Sequence, residues 1–285
     1  MTLIAIASVG GAPGVTTAAL GLAACWPAGA DPLLVEADPS GGDMQAWFGL
    51  PDTPGMVSLA AAARRASIPG LLAGHAARLP GGLQVLPGPA GASQAHAAAA
   101  QLAAIGYEPV AAASAAGQVI VADCGRLASG TPAMPLLEAA DLLLVVTTAD
   151  TAALAHIHAR PGTLADVATR TELLLSGRPR PYRAAEITAA LGLRVAGRLP
   201  WDPAGAALLR GVPGHGWRTR WRASARLPLL AAAADTAWRI SRPLTSAETL
   251  PGPGTPQHEE HGSPPGGPVP ARAVPASPGP QGSPQ

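Results

Sequence analysis

Short, unbroken apolar runs alternate with Ala-rich segments through the first 242 residues of this 285-residue chain. Leu3–Ala7, Leu33–Glu36, Leu83–Leu86, Val119–Asp123, Leu142–Thr147, Leu173–Leu175 and Val195–Leu199 are the runs, and each predicts a strand. They do not alternate apolar with polar, so both faces of each strand must be covered, as in parallel sheets between helical layers. Thr16–Cys25, Val57–Ala66, Ala95–Ile105, Met134–Ala139, Ala184–Leu191, Pro203–Leu209 and Leu229–Ile240 carry the helical pattern between them. Strand then helix, repeated this often, predicts an α/β fold: a doubly wound, mostly parallel sheet of about seven strands with helices on both faces. Such sheets bind ligands beyond the carboxyl ends of their strands. The glycine-rich and polar stretches cluster there: Val9–Thr17, Asp38, Asp123, Thr147–Asp150, Ser176–Arg178 and Pro200–Asp202.

The pattern stops at Pro243. Pro and Gly fill 19 of the last 43 positions, and little apolar material remains to build a core. Residues 1–242 are therefore expected to form one domain, and 243–285 a disordered Pro/Gly/Ser-rich tail. A formal charge of +1 gives no overall argument for a nucleic-acid or membrane partner. Cys25 and Cys124 sit in apolar surroundings and read as core thiols of a cytoplasmic protein. No signal-peptide pattern and no uninterrupted apolar stretch of about 20 residues are seen, so no secretion or membrane span is expected.

One segment carries candidate chemistry. Ser8–Thr17 follows the first strand, opens the first helix and contains Gly10, Gly11 and Gly14. A phosphate-binding loop has this placement, with the pattern G-x-x-x-x-G-K-[ST]. Aligned on Gly14 and Thr16, the lysine position holds Val15 and the first glycine position holds Val9. The chain contains no lysine, and its 19 basic residues are all arginine. The glycines and the helix start can still offer backbone N–H groups to an anion. An ammonium group is missing, which should weaken triphosphate binding and slow hydrolysis. Asp38, after Leu33–Glu36, and Asp123, after Val119–Ala122, each follow an apolar run, the placement of a carboxylate that holds Mg²⁺ directly or through water.

Together these segments resemble the MinD/ParA group of P-loop ATPases. Gly11-Ala12-Pro13-Gly14-Val15-Thr16-Thr17 falls on the family's deviant Walker A segment, with Gly10 where its signature lysine stands. With Val35–Gly42, Val119–Gly125 and Leu199–Pro203, the chain looks like a lysine-less, MinD-like branch of actinobacterial proteins. The resemblance spans residues 1–242. It implies ATP or ADP with Mg²⁺ as cofactor, held by residues 10–17, with Thr16, Asp38 and Asp123 at the metal. Asp38 would position the attacking water, and Asp123 would stand at the Walker B place. Arg178, Pro200, Trp201 and Asp202 would lie at the adenine pocket, and Arg126, beside Asp123, could replace part of the lost charge. The implied role is regulatory: partitioning, or positioning the assembly of a cell-envelope, pilus or secretion complex, with weak or absent hydrolysis. Protein partners, including a second copy, are expected.

Two alternatives remain open. Loss of both lysines would also suit a pseudo-ATPase scaffold that binds protein partners without nucleotide. Arg218, Arg220, Arg222 and Arg226, with Trp217 and Trp221, could form a nonspecific DNA patch, although a solvated loop is favoured. The tail is too rich in proline for an amphipathic membrane helix, so direct membrane docking is not expected. His258–His261 reads as a chance cluster, and His156 and His158 are badly spaced for a metal pair.

Overall fold

The computed structural model describes residues 2–10, 13–65, 70–160, 164, 167–179, 181–211 and 227–246. The strands are β1 (Thr2–Ser8), β2 (Leu33–Glu36), β3 (Ala77–Arg78), β4 (Gln84–Leu86), β5 (Val119–Arg126), β6 (Leu142–Thr147), β7 (Thr171–Gly177) and β8 (Val195–Pro200). They form an eight-stranded sheet in the order β3-β4-β2-β5-β1-β6-β7-β8. Neighbours run parallel, except that β3 pairs antiparallel with β4.

The helices are α1 (Val15–Ala24), α2 (Met44–Phe48), α3 (Met56–Ala63), α4 (Leu71–Gly74), α5 (Ala92–Ala103), α6 (Glu108–Ala115), α7 (Met134–Glu138), α8 (Thr151–His158), α9 (Ala184–Leu191), α10 (Pro203–Leu209) and α11 (Pro228–Ser246).

The unbroken apolar runs are explained by two cores, one on each face of the sheet. Leu3, Ala5, Ala7, Leu33, Val35, Ile120, Ala122, Leu143, Val145, Leu173 and Leu175 point to one face, packing with α3, α5 and α7. Their neighbours Ile4, Ile6, Leu34, Val121, Leu142, Leu144 and Leu174 point to the other, packing with α1, α10 and α11. A strand buried on both sides has no polar positions to give it a period of two.

β1 lies in the middle, between β5 and β6. The helix after β1 packs on one face and the helix after β5 on the other. The connections therefore diverge beside β1, which makes the carboxyl ends of β1, β5 and β2 the topological switch point where such sheets bind ligands.

The structure adds to the expected elements. The eighth strand, β3, is a two-residue edge with no apolar run of its own. α2, α4, α6 and α8 lie in stretches for which the apolar pattern named no element. The last helix runs through Pro243 to Ser246, past the boundary expected at residue 242, and the compact unit spans Met1–Thr249. A proline so near a helix end removes only one late backbone hydrogen bond, so the helix tolerates it better there than in its interior. No helix among the described residues is long and apolar enough to cross a membrane.

Candidate nucleotide site

The loop after β1 turns into α1 through Gly14, whose φ of 93° is left-handed. Only glycine adopts that conformation without steric cost, and here it aims the first N–H groups of α1 out of the sheet edge. The Gly14 carbonyl then accepts from Ala18 N at 2.9 Å, as a helix entry requires. Ser176, from the end of β7, donates through Oγ to the Pro13 carbonyl at 2.6 Å and ties the loop to the strand two places along the sheet from β1. Gly11 and Ala12 lie outside the described residues, so the closure of the loop rests on its two flanks.

Val15, at the lysine position, is only 7% exposed and belongs to the α1-side core, while it also borders the hollow beside the loop. Gly10, at the other lysine position, is exposed, and the nearest side chain to a Cβ placed there is His156, at 3.8 Å. At the two positions where the resemblance places lysine, this chain thus has a buried hydrocarbon side chain and no side chain at all.

The acidic residues converge. Asp123, near the end of β5, is buried at 2% exposure and accepts from Gly125 N at 3.0 Å. The Thr16 hydroxyl, at the start of α1, lies near enough to favour its ionised form. Burial pushes the Asp123 carboxyl up to about 6, the charges of Asp38 and Asp43 add to the rise, and the Thr16 hydroxyl and the Gly125 N–H oppose it. The Asp38 carboxylate accepts from Ser40 N at 2.7 Å and lies flat against Gly125. A Cβ on Gly125 would stand 2.1 Å from Asp38 Cγ, so a glycine at φ 62° is what lets the carboxylates approach.

Two carboxylates that the sequence reading did not single out belong to the site. Glu36 ends β2 at 2% exposure. Its Oε1 accepts from Asp43 N (2.7 Å) and Met44 N (3.1 Å), and its Oε2 accepts from Gly88 N (3.0 Å). It thus pins the loop carrying Asp38 and Asp43 to the turn after β4. Burial pushes the Glu36 carboxyl up to about 8, while the three N–H donors favour its ionised form. The signal was present: a charge closing a run that is otherwise all core. Asp43 sits just before α2, raised by burial and by Asp38, and lowered by Arg210.

Two hollows flank the loop and share Gly14 and Thr17. One, of about 680 Å³, is bordered by Val15, Thr16, Asp38, Asp43 and Arg126. The other, of about 540 Å³, is bordered by Ser176, Arg178, Pro200, Trp201, Asp202 and Arg210. Arg178 lies 5.7 Å from the Trp201 ring centroid, and that ring is 63% exposed. Asp202 is an architectural group: Oδ1 accepts from Gly205 N at 2.9 Å, capping α10, and Oδ2 accepts from Leu229 N at 3.1 Å, holding the start of α11. Of the residues named from sequence, Gly14, Val15, Thr16, Thr17, Asp38 and Arg126 border the first hollow, and Pro13, Arg178, Pro200, Trp201 and Asp202 the second. Gly10 borders a separate hollow with His156, and Asp123 borders neither of the first two.

Among the described residues no group of three or more His, Cys, Asp or Glu forms a metal cluster. The hard oxygen donors at the switch point are the Thr16 hydroxyl and the Asp38 and Asp123 carboxylates. That is a donor set suited to Mg²⁺ that keeps several waters and shares phosphate oxygens.

No family model matches the sequence, and no curated protein matches it. Solved structures do. A ParA family ATPase from Chlorobium tepidum TLS superimposes with TM-score 0.65 at 17% identity, over 82% of this chain and 98% of that one. The fold is that of the MinD/ParA ATPases. MinD of Pyrococcus horikoshii OT3, solved with Mg-ADP, gives TM-score 0.61 at 16% identity, over 87% and 99%. The MinC:MinD cell division protein complex of Aquifex aeolicus gives 0.58 at 18%, over 88% and 98%.

Arg218, Arg220, Arg222 and Arg226, with their two tryptophans, lie outside the described residues, as does His258–His261.

Proposed function

We propose that this protein binds ATP or ADP with Mg²⁺ across the two hollows beside the loop and uses the bound state to regulate partitioning or the assembly of a cell-envelope, pilus or secretion complex. The observation that carries this reading is the convergence of Thr16 and Asp123 at the mouth of α1, with Asp38 held beside them on Gly125. A helix start, a hydroxyl and two carboxylates at one switch point are what a magnesium–phosphate group requires. The solved MinD of like fold that holds Mg-ADP supports the same choice of ligand.

In this reading residues 10–17 carry the phosphates through backbone N–H groups, and Arg126 faces them from the rim of the larger hollow. Trp201 offers an exposed ring for the base, backed by Arg178 and Pro200, with Asp202 fixing the wall. Mg²⁺, when bound, would screen phosphate charge. Thr16 and Asp123 would hold it, and Asp38 would orient water. Hydrolysis is weak or absent, because electrostatic stabilisation of the leaving phosphates is what the lost lysines supplied. A second copy of the chain and further protein partners read the nucleotide state, as the solved MinC:MinD complex of like fold suggests.

Burial of Val15 favours a second reading, a scaffold whose loop has become part of the core and binds partners without nucleotide. Calorimetry of the full chain with ATP, ADP and GTP, with and without Mg²⁺, separates the two. Submillimolar, Mg²⁺-dependent binding of an adenine nucleotide supports the first, and no heat with any of the three overturns it.

A further inference from the structure

Arg210 follows α10 and borders the base-side hollow together with Gly14 and Thr17. Its guanidinium lies 5.8 Å from the centroid of Trp47, which borders the phosphate-side hollow from α2. The neighbouring ring, Phe48, packs on Gly211, where a Cβ would stand 2.9 Å from Phe48 Cε1. α2 is therefore docked against the end of α10 along a seam of two aromatic rings. The same guanidinium acts electrostatically on Asp43, which opens α2 and borders the phosphate-side hollow. A cation thus borders one cavity and lies near a ring that borders the other. Its Nε donates to the Ala206 carbonyl at 3.2 Å, which leaves the two terminal nitrogens to meet an acceptor. That is the presentation with which arginine grips phosphate oxygens through two N–H groups at once.

We propose that Arg210 is a phosphate-contacting residue of the site and turns from the field of Asp43 to the phosphate chain of the ligand when the hollows fill. It supplies from the end of α10 part of the positive charge absent at Gly10 and Val15. An arginine on an aromatic shelf keeps its orientation without a lysine's reach from inside the loop. Because Asp43 and Trp47 lie on or beside α2, the turn is felt by the segment that also carries Asp38. This rests on the nucleotide reading above.

The test uses the full chain, with Mg-ATP and inorganic tripolyphosphate as probes, followed by calorimetry and tryptophan fluorescence. R210A is expected to weaken both probes about tenfold or more, and R210K to recover part of the loss. R178A is expected to weaken Mg-ATP and leave tripolyphosphate unchanged, because its place is beside the base. W47F, which disturbs the seam but keeps the cation, should retain most of the affinity and lose the fluorescence change that tripolyphosphate causes in the unmodified protein. If R210A binds both probes within twofold of the unmodified protein, the inference falls and the nucleotide reading stands. If R210A loses Mg-ATP but not tripolyphosphate, Arg210 faces the base and the inference is again overturned. If the unmodified protein binds neither probe, the nucleotide reading fails and takes this one with it.

Discussion

Replacing Val15 with lysine tests whether the loop lacks only charge or has lost its shape as well. Val15 is the first residue of α1, is 7% exposed, and contacts both the core and the phosphate-side hollow. A lysine side chain can leave its methylenes where the valine was and extend its ammonium into the hollow. At a separation of about 4 Å and an effective dielectric of about 20, one such charge attracts a phosphate charge by about 4 kcal/mol. Desolvation, and competition from Asp38, Asp43 and Asp123, reduce the gain to roughly 1.5–3 kcal/mol, or about 10- to 100-fold in affinity. Removing the branched side chain from the core should cost the free protein about 1–2 kcal/mol. V15K is therefore expected to be less stable alone, to bind Mg-ATP and Mg-ADP more tightly, and to show an Asp123 carboxyl below its present value of about 6. Calorimetry gives the affinity, denaturant unfolding the stability, and carbon-detected NMR titration the carboxyl. A correctly folded V15K that binds nucleotide no better than the unmodified protein would refute the idea that the backbone remains a phosphate cradle.

Other outcomes follow from the buried acids. Asp123 titrates near 6 in the folded chain against an ordinary 3.8, so the native state holds its proton more tightly than the unfolded one. Its ionisation costs stability above pH 6, and the cost fades as pH falls toward 3.8. D123N should therefore raise unfolding stability at pH 7.5 by on the order of 1–3 kcal/mol and change it little near pH 4; an equal gain at both pH values contradicts the assignment. E36Q places an amide nitrogen against one of three backbone N–H donors, which should cost about 1–3 kcal/mol and speed hydrogen exchange at residues 42–44 and 88. Unchanged exchange there would show that Glu36 does not pin the loop. G125A forces a side chain at φ 62° into the Asp38 carboxylate, and should destabilise the chain by about 1–3 kcal/mol and abolish any Mg²⁺-dependent stabilisation by ATP. Retention of that stabilisation would mean that Asp38 is not needed at the metal.

The sheet was legible because burial on both faces leaves strands uninterrupted by polar residues, and Leu142–Thr147 shows this without ambiguity. α8 was missed although it has a readable start: Asp150 accepts from Ala153 N at 3.0 Å. α6 was hidden because it begins at Tyr107, a tyrosine in the left-handed region at φ 52°, which no local rule favours. The loop and its two aspartates were marked by spacing alone, since each follows an apolar run. Glu36 was marked only as a charge closing such a run, and Arg210 was not marked at all. Their roles depend on which backbone N–H groups and rings arrive beside them from residues far along the chain. The substitution at Val15 was plain in the sequence, but its burial in the core was visible only in the fold.

Asp202 grips two helix starts at once, and α11 rests on β8 where Thr236 closes over Gly197. One rim of the tryptophan-bearing cavity is thus fastened by residues that leave the ribosome among the last of the described chain. During synthesis the loop, the aspartates and the central strands emerge well before that fastening exists. The cavity beside Trp201 is therefore complete only after translation has passed Leu229, so a nascent chain can assemble its sheet before that wall is in place.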